Sequence, residues 1–220
     1  MNKKLWLAAF AITVLTTTAF AETLETDFRA ELTNDFKGVI ITGYHGRATE
    51  INIPDTIGGL PVLEIGNGAF AYTLITSVVV PEGVVRLGNP RTPGKYIGAF
   101  DSCPNLKSVT LPESLISMNS RTFYRCESLE TITLPPNLRV IGPRAFAECT
   151  ALTTIEFPAS IGSIGASAFE GCLVLVNVNI PESVHRIRII NYLRPAFKTC
   201  PRLSASSRVY LRQRGYIGPF

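Results

Sequence analysis

One short phrase recurs along the chain at a nearly fixed interval, and this repetition limits the possible folds more than any other feature. Seven residues of the form Leu-x-x-Ile-x-Leu-Pro occur in close copies at 106–112, 129–135, 152–158 and 175–181, with looser copies at 48–54 and 75–81. The closing prolines of the four close copies lie 23 residues apart. A unit of this length is too short to bury its own apolar face, so successive units must stack to share a core. The repeat therefore predicts a solenoid.

A second phrase, Ala-Phe-x-x-Cys, recurs in the same units and predicts two buried rows. Its phenylalanines should stack as an aromatic spine: Phe70, Phe100, Phe123, Phe146, Phe169 and Phe197. Its cysteines should form a row of free thiols: Cys103, Cys126, Cys149, Cys172 and Cys200. Their side chains would point the same way along parallel rows, and an odd number cannot all pair internally, so we expect no disulfides. One cysteine per unit, with no Cys-x-x-Cys pair, also disfavours a zinc site.

The first phrase alternates apolar and polar residues, as a half-buried strand requires. Val109 and Leu111 should point inward, whereas Ser108 and Thr110 should point outward. Successive strands would lie parallel, about 4.8 Å apart, and the closing proline would end each one because it has no N–H to donate. The apolar pair after each proline, such as Leu138 with Ile141, should cover the opposite side of the coil.

These phrases resemble the BspA-type leucine-rich repeats of bacterial surface proteins, and the resemblance spans residues 48–203. It implies a leucine-rich repeat solenoid of the α/β horseshoe class, with mostly short parallel β-strands and irregular or 3-10 returns. It also implies a curved, open domain used for protein recognition, often as an adhesin, with no enzymatic activity. The first full repeat departs from the pattern because it lacks the cysteine, and the last has lost the strand phrase after Leu203.

Both ends of an open solenoid need caps, because a terminal coil exposes its apolar cross-section and an unpaired strand edge. Residues 22–47 should form the N-terminal cap, with the strand-like run 39–42 making a β-hairpin with residues 49–53. Residues 204–220 should form the C-terminal cap. There, Ser206 or Ser207 would cap a short helix that buries Val209, Tyr210 and Leu211,.

Residues 1–21 have the form of a cleaved secretory signal. Lys3 and Lys4 precede an apolar run, and Ala19-Phe20-Ala21 closes the segment,. The apolar run is too short to span a bilayer, so we expect export to a periplasm, the cell surface or the medium without a membrane span.

Charge and composition argue against nucleic-acid binding and catalysis. The net charge of +4 falls to about +2 without residues 1–21, which weakens any nucleic-acid interpretation,. The two histidines, His45 and His185, should lie some five coils apart, and no nucleophile elbow or phosphate-binding glycine loop is present,. We therefore expect no enzymatic activity, cofactor or metal. From Pro181 onward the chain is strongly basic, which predicts either a solvated cap or docking to an acidic glycan, an anionic membrane or the chain's own acidic half,.

The outward residues of the strand phrase form two columns on the predicted concave face. One runs Glu50, Ser77, Ser108, Thr131, Thr154 and Asn177, and the other runs Asn52, Val79, Thr110, Thr133, Glu156 and Asn179. The candidate binding residues are Thr110, Thr131, Thr133, Thr154, Glu156, Asn177 and Asn179. An alternative is a polar ladder that only keeps the face hydrated. The columns lack aromatic and arginine anchors, which predicts weak binding there, or binding that uses avidity or inserted loops.

Three units exceed the basic length, and inserted loops often carry specificity. One surplus lies near residues 56–60. The Pro-rich surplus at 89–96 offers Arg91 and Tyr96 as binding candidates, although neutral drift explains it equally well. The apolar surplus within 188–195 offers Ile190, Tyr192 and Leu193, which either fold over the C-terminal cap or present a patch to a second copy or a ligand,.

Two functional hypotheses follow. In the first, the chain is an exported binding module that recognises a protein, from a host or the cell envelope, or a glycan, through the columns and residues 89–96. In the second, it is a structural envelope component that forms a homodimer through the apolar insertion and the C-terminal cap. A third possibility is a small apolar ligand bound beside that insertion.

Overall fold

The computed structural model describes residues 23–88, 97–179, 181, 186–187, 195–213 and 216–220. Within them the chain winds into coils that stack in one direction, as the repeat predicts. Each regular coil has three sides. The first phrase forms one, the residues after its proline form the second, and the Ala-Phe-x-x-Cys turn forms the third. The proposed secretory signal, residues 1–21, lies outside the described residues.

The elements of the described residues, in chain order, are a 3-10 helix (Glu25–Asp27), β1 (Phe28–Leu32), β2 (Val39–Tyr44), β3 (Glu50–Asn52), β4 (Thr56–Ile57), β5 (Leu60–Ile65), β6 (Ser77–Val79), β7 (Arg86–Leu87), β8 (Ser108–Thr110), β9 (Ser117–Met118), β10 (Val140–Ile141), β11 (Thr154–Glu156), β12 (Ser163–Ile164), β13 (Asn177–Asn179), β14 (Arg186–Ile187) and α1 (Ala205–Gln213).

Two parallel ladders run along the solenoid. The first phrase forms the ladder β3-β6-β8 and the pair β11-β13, and between them residues 131–133 carry no strand. The second ladder runs β2-β5-β7-β9-β10-β12-β14. Its short strands occupy the side where the sequence predicts irregular or 3-10 returns. They form there because one residue of each pair is buried, such as Met118 or Ile141, while the backbone pairs with the next coil.

The third side of each coil is held by backbone hydrogen bonds between turns. The Phe123 amide donates to the Ala145 carbonyl at 2.7 Å, and the Phe146 amide donates to the Ala168 carbonyl at 2.8 Å. Residues flanking the Ala-Phe pair, including Arg121 and Arg125, have φ near +58°. Such left-handed backbone is unfavourable for residues with a Cβ, but here it points each amide at the neighbouring coil,.

The predicted aromatic spine is present at the centre of the stack. Successive phenylalanine rings from Phe70 to Phe197 are stacked, with centroids 5.0–5.4 Å apart. The caps extend the row, because Tyr44 stacks on Phe70 at 5.5 Å and Tyr216 meets Phe197 edge-on at 5.7 Å. Offset and edge-on aromatic pairs add to the stability that burial provides.

The five cysteines are free and buried, as predicted, and they also donate hydrogen bonds. Each Sγ lies 3.0–3.2 Å from the carbonyl oxygen of the phenylalanine one coil earlier, as Cys149 does with Phe123. Burial raises the pKa of Cys149 well above its usual range and that of Cys200 to about 12, so the thiols keep the proton that they donate. In the first full repeat, Thr73 occupies the cysteine position and its hydroxyl donates to Phe70.

The N-terminal cap is a hairpin, but the predicted pairing of residues 39–42 with residues 49–53 is wrong. β2 pairs antiparallel with β1 on one side and parallel with β5 on the other. β3 instead pairs with β6, Glu50 facing Ser77, because it already belongs to the first ladder. The surplus near residues 56–60 is a second, smaller hairpin of β4 with β5. Gly58 and Gly59 form its turn with φ of +60° and +77°.

The C-terminal cap is the predicted short helix, with a different start and a different buried side. Ser204, rather than Ser206 or Ser207, caps α1, since its hydroxyl accepts the Ser207 amide at 3.2 Å. Leu211 is buried, but Val209 is 57% exposed, so its predicted burial is wrong. The reason is helical spacing, because Leu211 and Ser207, four residues apart, share the face that packs on β13,.

Candidate functional site

The outward residues of the first ladder stand in register on one face, which we call the column face. It consists of the two columns already defined from the sequence. Thr154 pairs with Asn177 and Glu156 pairs with Asn179, while Ile155 and Val178 between them are buried. All seven predicted residues on this face are exposed: Thr110, Thr131, Thr133, Thr154, Glu156, Asn177 and Asn179. Thr131 and Thr133 keep the alternation although their segment carries no strand.

The column face ends in a groove between β11, β13 and α1, with a volume of about 390 Å³. Four of the predicted residues line it together with three residues of the helix: Thr154, Glu156, Asn177, Asn179, Ser206, Ser207 and Tyr210. The structure thus brings these four together, whereas Thr110, Thr131 and Thr133 lie further along the same face. The sequence does not predict that α1 contributes to the site, because the expected role of Tyr210 is burial in the core.

Buried hydrogen bonds fix the helix that forms one wall of the groove. The Ser207 hydroxyl accepts the Val178 amide of β13 at 3.1 Å, and the Ser204 amide donates to the Val176 carbonyl at 2.9 Å. Ser207 therefore satisfies an amide at the edge of the first ladder. Leu211 packs into the core behind it. Because these contacts attach α1 to β13, the groove is preformed.

The groove lining offers hydrogen-bonding groups of several kinds beside the aromatic ring of Tyr210. Glu156 contributes a carboxylate, Asn177 and Asn179 contribute amides that both donate and accept, and Thr154 contributes a hydroxyl,. Tyr210 adds an aromatic surface with a polar tip. Such a set suits a polar, uncharged or weakly charged ligand group, such as a peptide backbone or a sugar hydroxyl.

The predicted candidates on the insertions fall outside the described residues: Arg91, Tyr96, Ile190, Tyr192 and Leu193. The homodimer and the small apolar ligand, both tied to the insertion within 188–195, therefore stay predictions.

Two arginines of the basic C-terminal region hold the cap together. Arg208 donates to the carbonyls of Leu203 and Pro201 at 2.9 and 2.7 Å, and Arg212 donates to the Tyr216 carbonyl at 2.9 Å. Both guanidinium groups also lie over the Phe220 ring. These contacts favour a structural role for part of the basic region.

Within the described ranges, no three His, Cys, Asp or Glu side chains are grouped so that they could hold a metal ion. No helix among those residues has the length and apolar character needed to cross a bilayer.

Stacked strand phrases, a buried aromatic spine and an exposed strand face define the class: this is a leucine-rich repeat protein. The family model described as the BspA type leucine rich repeat region matches residues 63–204 in six copies. The chain belongs to the BspA-type leucine-rich repeat family. The match begins later than the predicted start at residue 48, although β3 at residues 50–52 already pairs in register with β6.

Several solved structures are similar to the chain. The T. pallidum leucine rich repeat protein (TpLRR) is 29% identical with a TM-score of 0.73, and the match covers 90% of this chain and 98% of that one. A leucine rich cell surface protein from Faecalibacterium prausnitzii is 29% identical with a TM-score of 0.60, over 72% of this chain and 42% of that one. The pneumococcal vaccine antigen PcpA shares only the fold, at 18% identity and a TM-score of 0.54, over 71% of this chain and 49% of that one. No curated protein sequence matches the chain significantly.

Proposed function

We propose that the chain is an exported, adhesin-like binding module that recognises a protein, or a glycan carried by one, through the column face and its terminal groove. The observation that carries the proposal is the convergence of Thr154, Glu156, Asn177 and Asn179 with Tyr210 in one groove. Leucine-rich repeat proteins typically bind other proteins, which favours this use of the face. The cell-surface relative from Faecalibacterium prausnitzii supports an extracellular setting.

The chemistry of the face predicts the kind of binding. Outside the groove the columns offer mostly hydroxyl and amide groups, which form hydrogen bonds but bury little apolar area. Aromatic and arginine anchors, which dominate tight interfaces, are represented in the groove by Tyr210 alone,. Binding should therefore be of moderate strength and should concentrate at the groove end of the face.

The test is a binding screen with variants of the groove. The purified protein, coupled to beads, is offered to a panel of extracellular-matrix proteins and to a glycan array. We expect at least one binder, with affinity reduced at least tenfold by Asn177→Arg, which fills the groove, and by Tyr210→Ser. Arg139→Gln, a change of an exposed residue beside the second ladder, is the matched control and should bind as the unchanged protein does. Binding that all three variants retain, or no binding to either panel, would contradict the proposal.

A further inference from the structure

Aromatic and arginine side chains gather on the third side of the solenoid, away from the column face. They occupy the turns of the Phe70 and Phe123 coils, and the Phe100 coil lies between these two. We call this set the arginine–tyrosine cluster, and it consists of Tyr72, Arg121, Tyr124 and Arg125. Tyr72 is 66% exposed, and the neighbouring Leu74 is 64% exposed.

A buried ion pair fixes the centre of the cluster. Asp101 is fully buried and accepts two bonds from Arg121, at 2.7 Å from Nε and 3.3 Å from Nη2. The carboxylate also accepts the Ser102 hydroxyl and the Gly98 amide. Two parallel N–H···O bonds are the strongest geometry for an arginine and a carboxylate, so the Arg121 side chain has one orientation.

The fixed arginine in turn orients a tyrosine. The guanidinium carbon of Arg121 lies 3.8 Å from the centroid of the Tyr124 ring, and that of Arg125 lies 5.4 Å from it. Cation–π contacts of this kind restrict the Tyr124 ring to one orientation before any partner binds. A partner that packs on Tyr124 therefore meets a preorganised surface.

One cation of the cluster is left without an acidic partner. Arg121 is neutralised by Asp101, but Arg125 is exposed and makes no ion pair among the residues that the structure describes. Glu148 occupies the equivalent position one coil later, but its carboxylate extends away from Arg125, over Gly171. The cluster therefore presents an unneutralised positive charge beside Tyr124.

The fold itself does not require these side chains. In other coils the repeat position of Tyr124 is occupied by Ala71 and Ala147. The repeat position shared by Tyr72 and Arg125 is occupied elsewhere by Ser102 and Gly171. Small residues at these positions permit the same turns. Tyr and Arg are also the residue types that carry most binding energy in protein interfaces.

We infer that the arginine–tyrosine cluster is a second interaction surface, which docks an acidic, extended segment of a partner protein. A carboxylate of the segment would pair with Arg125, and its neighbouring side chains would pack on Tyr72, Leu74 and Tyr124. This surface is separate from the groove, and it does not rest on the function proposed for the column face.

Fluorescence polarisation with labelled peptides tests the inference. The probe is a twelve-residue peptide of alternating glutamate and tyrosine, and its control carries glutamine in place of every glutamate. We expect the acidic peptide to bind at least tenfold more tightly than the control. Arg125→Gln and Tyr72→Ser should each weaken that binding at least fivefold. Arg139→Gln, which removes the same charge elsewhere, and Asn177→Arg, which blocks the groove, should each leave it unchanged within twofold.

Three results would overturn the inference. They are equal binding of the two peptides, a loss of acidic-peptide binding with Arg139→Gln as large as that with Arg125→Gln, or undiminished binding of the acidic peptide by Arg125→Gln. Sedimentation of the protein without peptide adds a fourth. If the protein self-associates and Arg125→Gln abolishes that association, then the cluster is an interface between copies of this chain. Circular dichroism of each variant confirms that lost binding is not lost folding. Arg121 is left unchanged because its removal would leave the buried Asp101 carboxylate without its ion-pair partner.

Discussion

Each buried cysteine does two things in this fold, because it fills the core and bonds to the coil before it. The Cys149 thiol donates to the Phe123 carbonyl at 3.1 Å, in the same coil position where Thr73 places a hydroxyl. The sequence predicts the burial and the free state of these residues from their equivalent positions. It does not reveal the hydrogen bond, because a small apolar residue and a weak donor give the same pattern along a sequence.

Replacing Cys149 separates its two roles. Cys149→Ala should reduce the free energy of unfolding by about 1 kcal/mol through the lost hydrogen bond alone, with a further loss from packing. Cys149→Ser keeps a donor and should be the more stable of the two variants. Urea unfolding of both measures the difference. If the sulfur served only as apolar volume, the order would reverse, with alanine tolerated better than serine.

Raised thiol pKa values also predict a loss of stability in alkali. In the unfolded chain a cysteine ionises near pH 9, whereas burial raises the pKa of the native thiols, that of Cys149 well above its usual range and that of Cys200 to about 12. Above pH 9, and below its native pKa, each such thiol holds its proton in the native state and loses it in the unfolded state, so stability falls as the pH rises, by about 1.4 kcal/mol per pH unit for each thiol. Urea unfolding at several pH values above 9 should show this slope, and Cys149→Ala should make it shallower. A slope that is the same in both proteins would contradict the assignment.

Among the elements, the buried and exposed alternation of the first phrase follows from the sequence, whereas the strands of the second ladder and the pairing within the N-terminal cap do not. A strand at 39–42 is predicted, and β2 lies there, but its pairing with β1 depends on Phe28 and Ala30 facing the core, a short alternation outside the repeat. The groove likewise follows from the sequence only in part. Its strand residues follow from the repeat, whereas its helical wall depends on how α1 sits on β13, which no periodic pattern specifies.

Ser207 tests how α1 is attached. Ser207→Ala leaves the Val178 amide, buried under the helix, without its acceptor, and an unsatisfied buried group costs about 1–3 kcal/mol,. The matched change Ser206→Ala, at an exposed position of the same helix, should cost less than about 0.5 kcal/mol. Thermal unfolding of the two variants gives the comparison. Equal effects would mean that α1 is held by Leu211 and the chain ends rather than by this bond.

As a whole, the molecule is a stack in which each coil contacts its neighbours, and its surfaces follow from that geometry. The column face, the second ladder and the turn side each collect one repeat position from successive coils. Equivalent positions therefore become continuous surfaces, and a single unusual coil can place a tyrosine or an arginine without disturbing the others. This modularity explains how one fold carries a groove on one side and a charged aromatic cluster on another.

Removing one complete coil tests this modularity. Deletion of residues 127–149 joins Cys126 to Thr150 and keeps the repeat in register. Because coils interact mainly with their neighbours, the shortened protein should fold cooperatively, with a denaturant m-value lower by roughly one tenth. Deletion of residues 130–149, which is out of register, should prevent folding. Circular dichroism with urea titration distinguishes them, and similar behaviour of the two deletions would refute the nearest-neighbour description.

The most direct test of the stacked-coil structure is a thiol count by a coloured disulfide reagent, without reducing agent, before and after unfolding in guanidinium. The native protein should show almost no reactive thiol over minutes, because all five cysteines are buried in one row. The unfolded protein should show five. Fewer than five after unfolding would indicate disulfides, and rapid reaction of the native protein would place the cysteines on the surface. Either result would contradict a core built from equivalent positions of stacked coils.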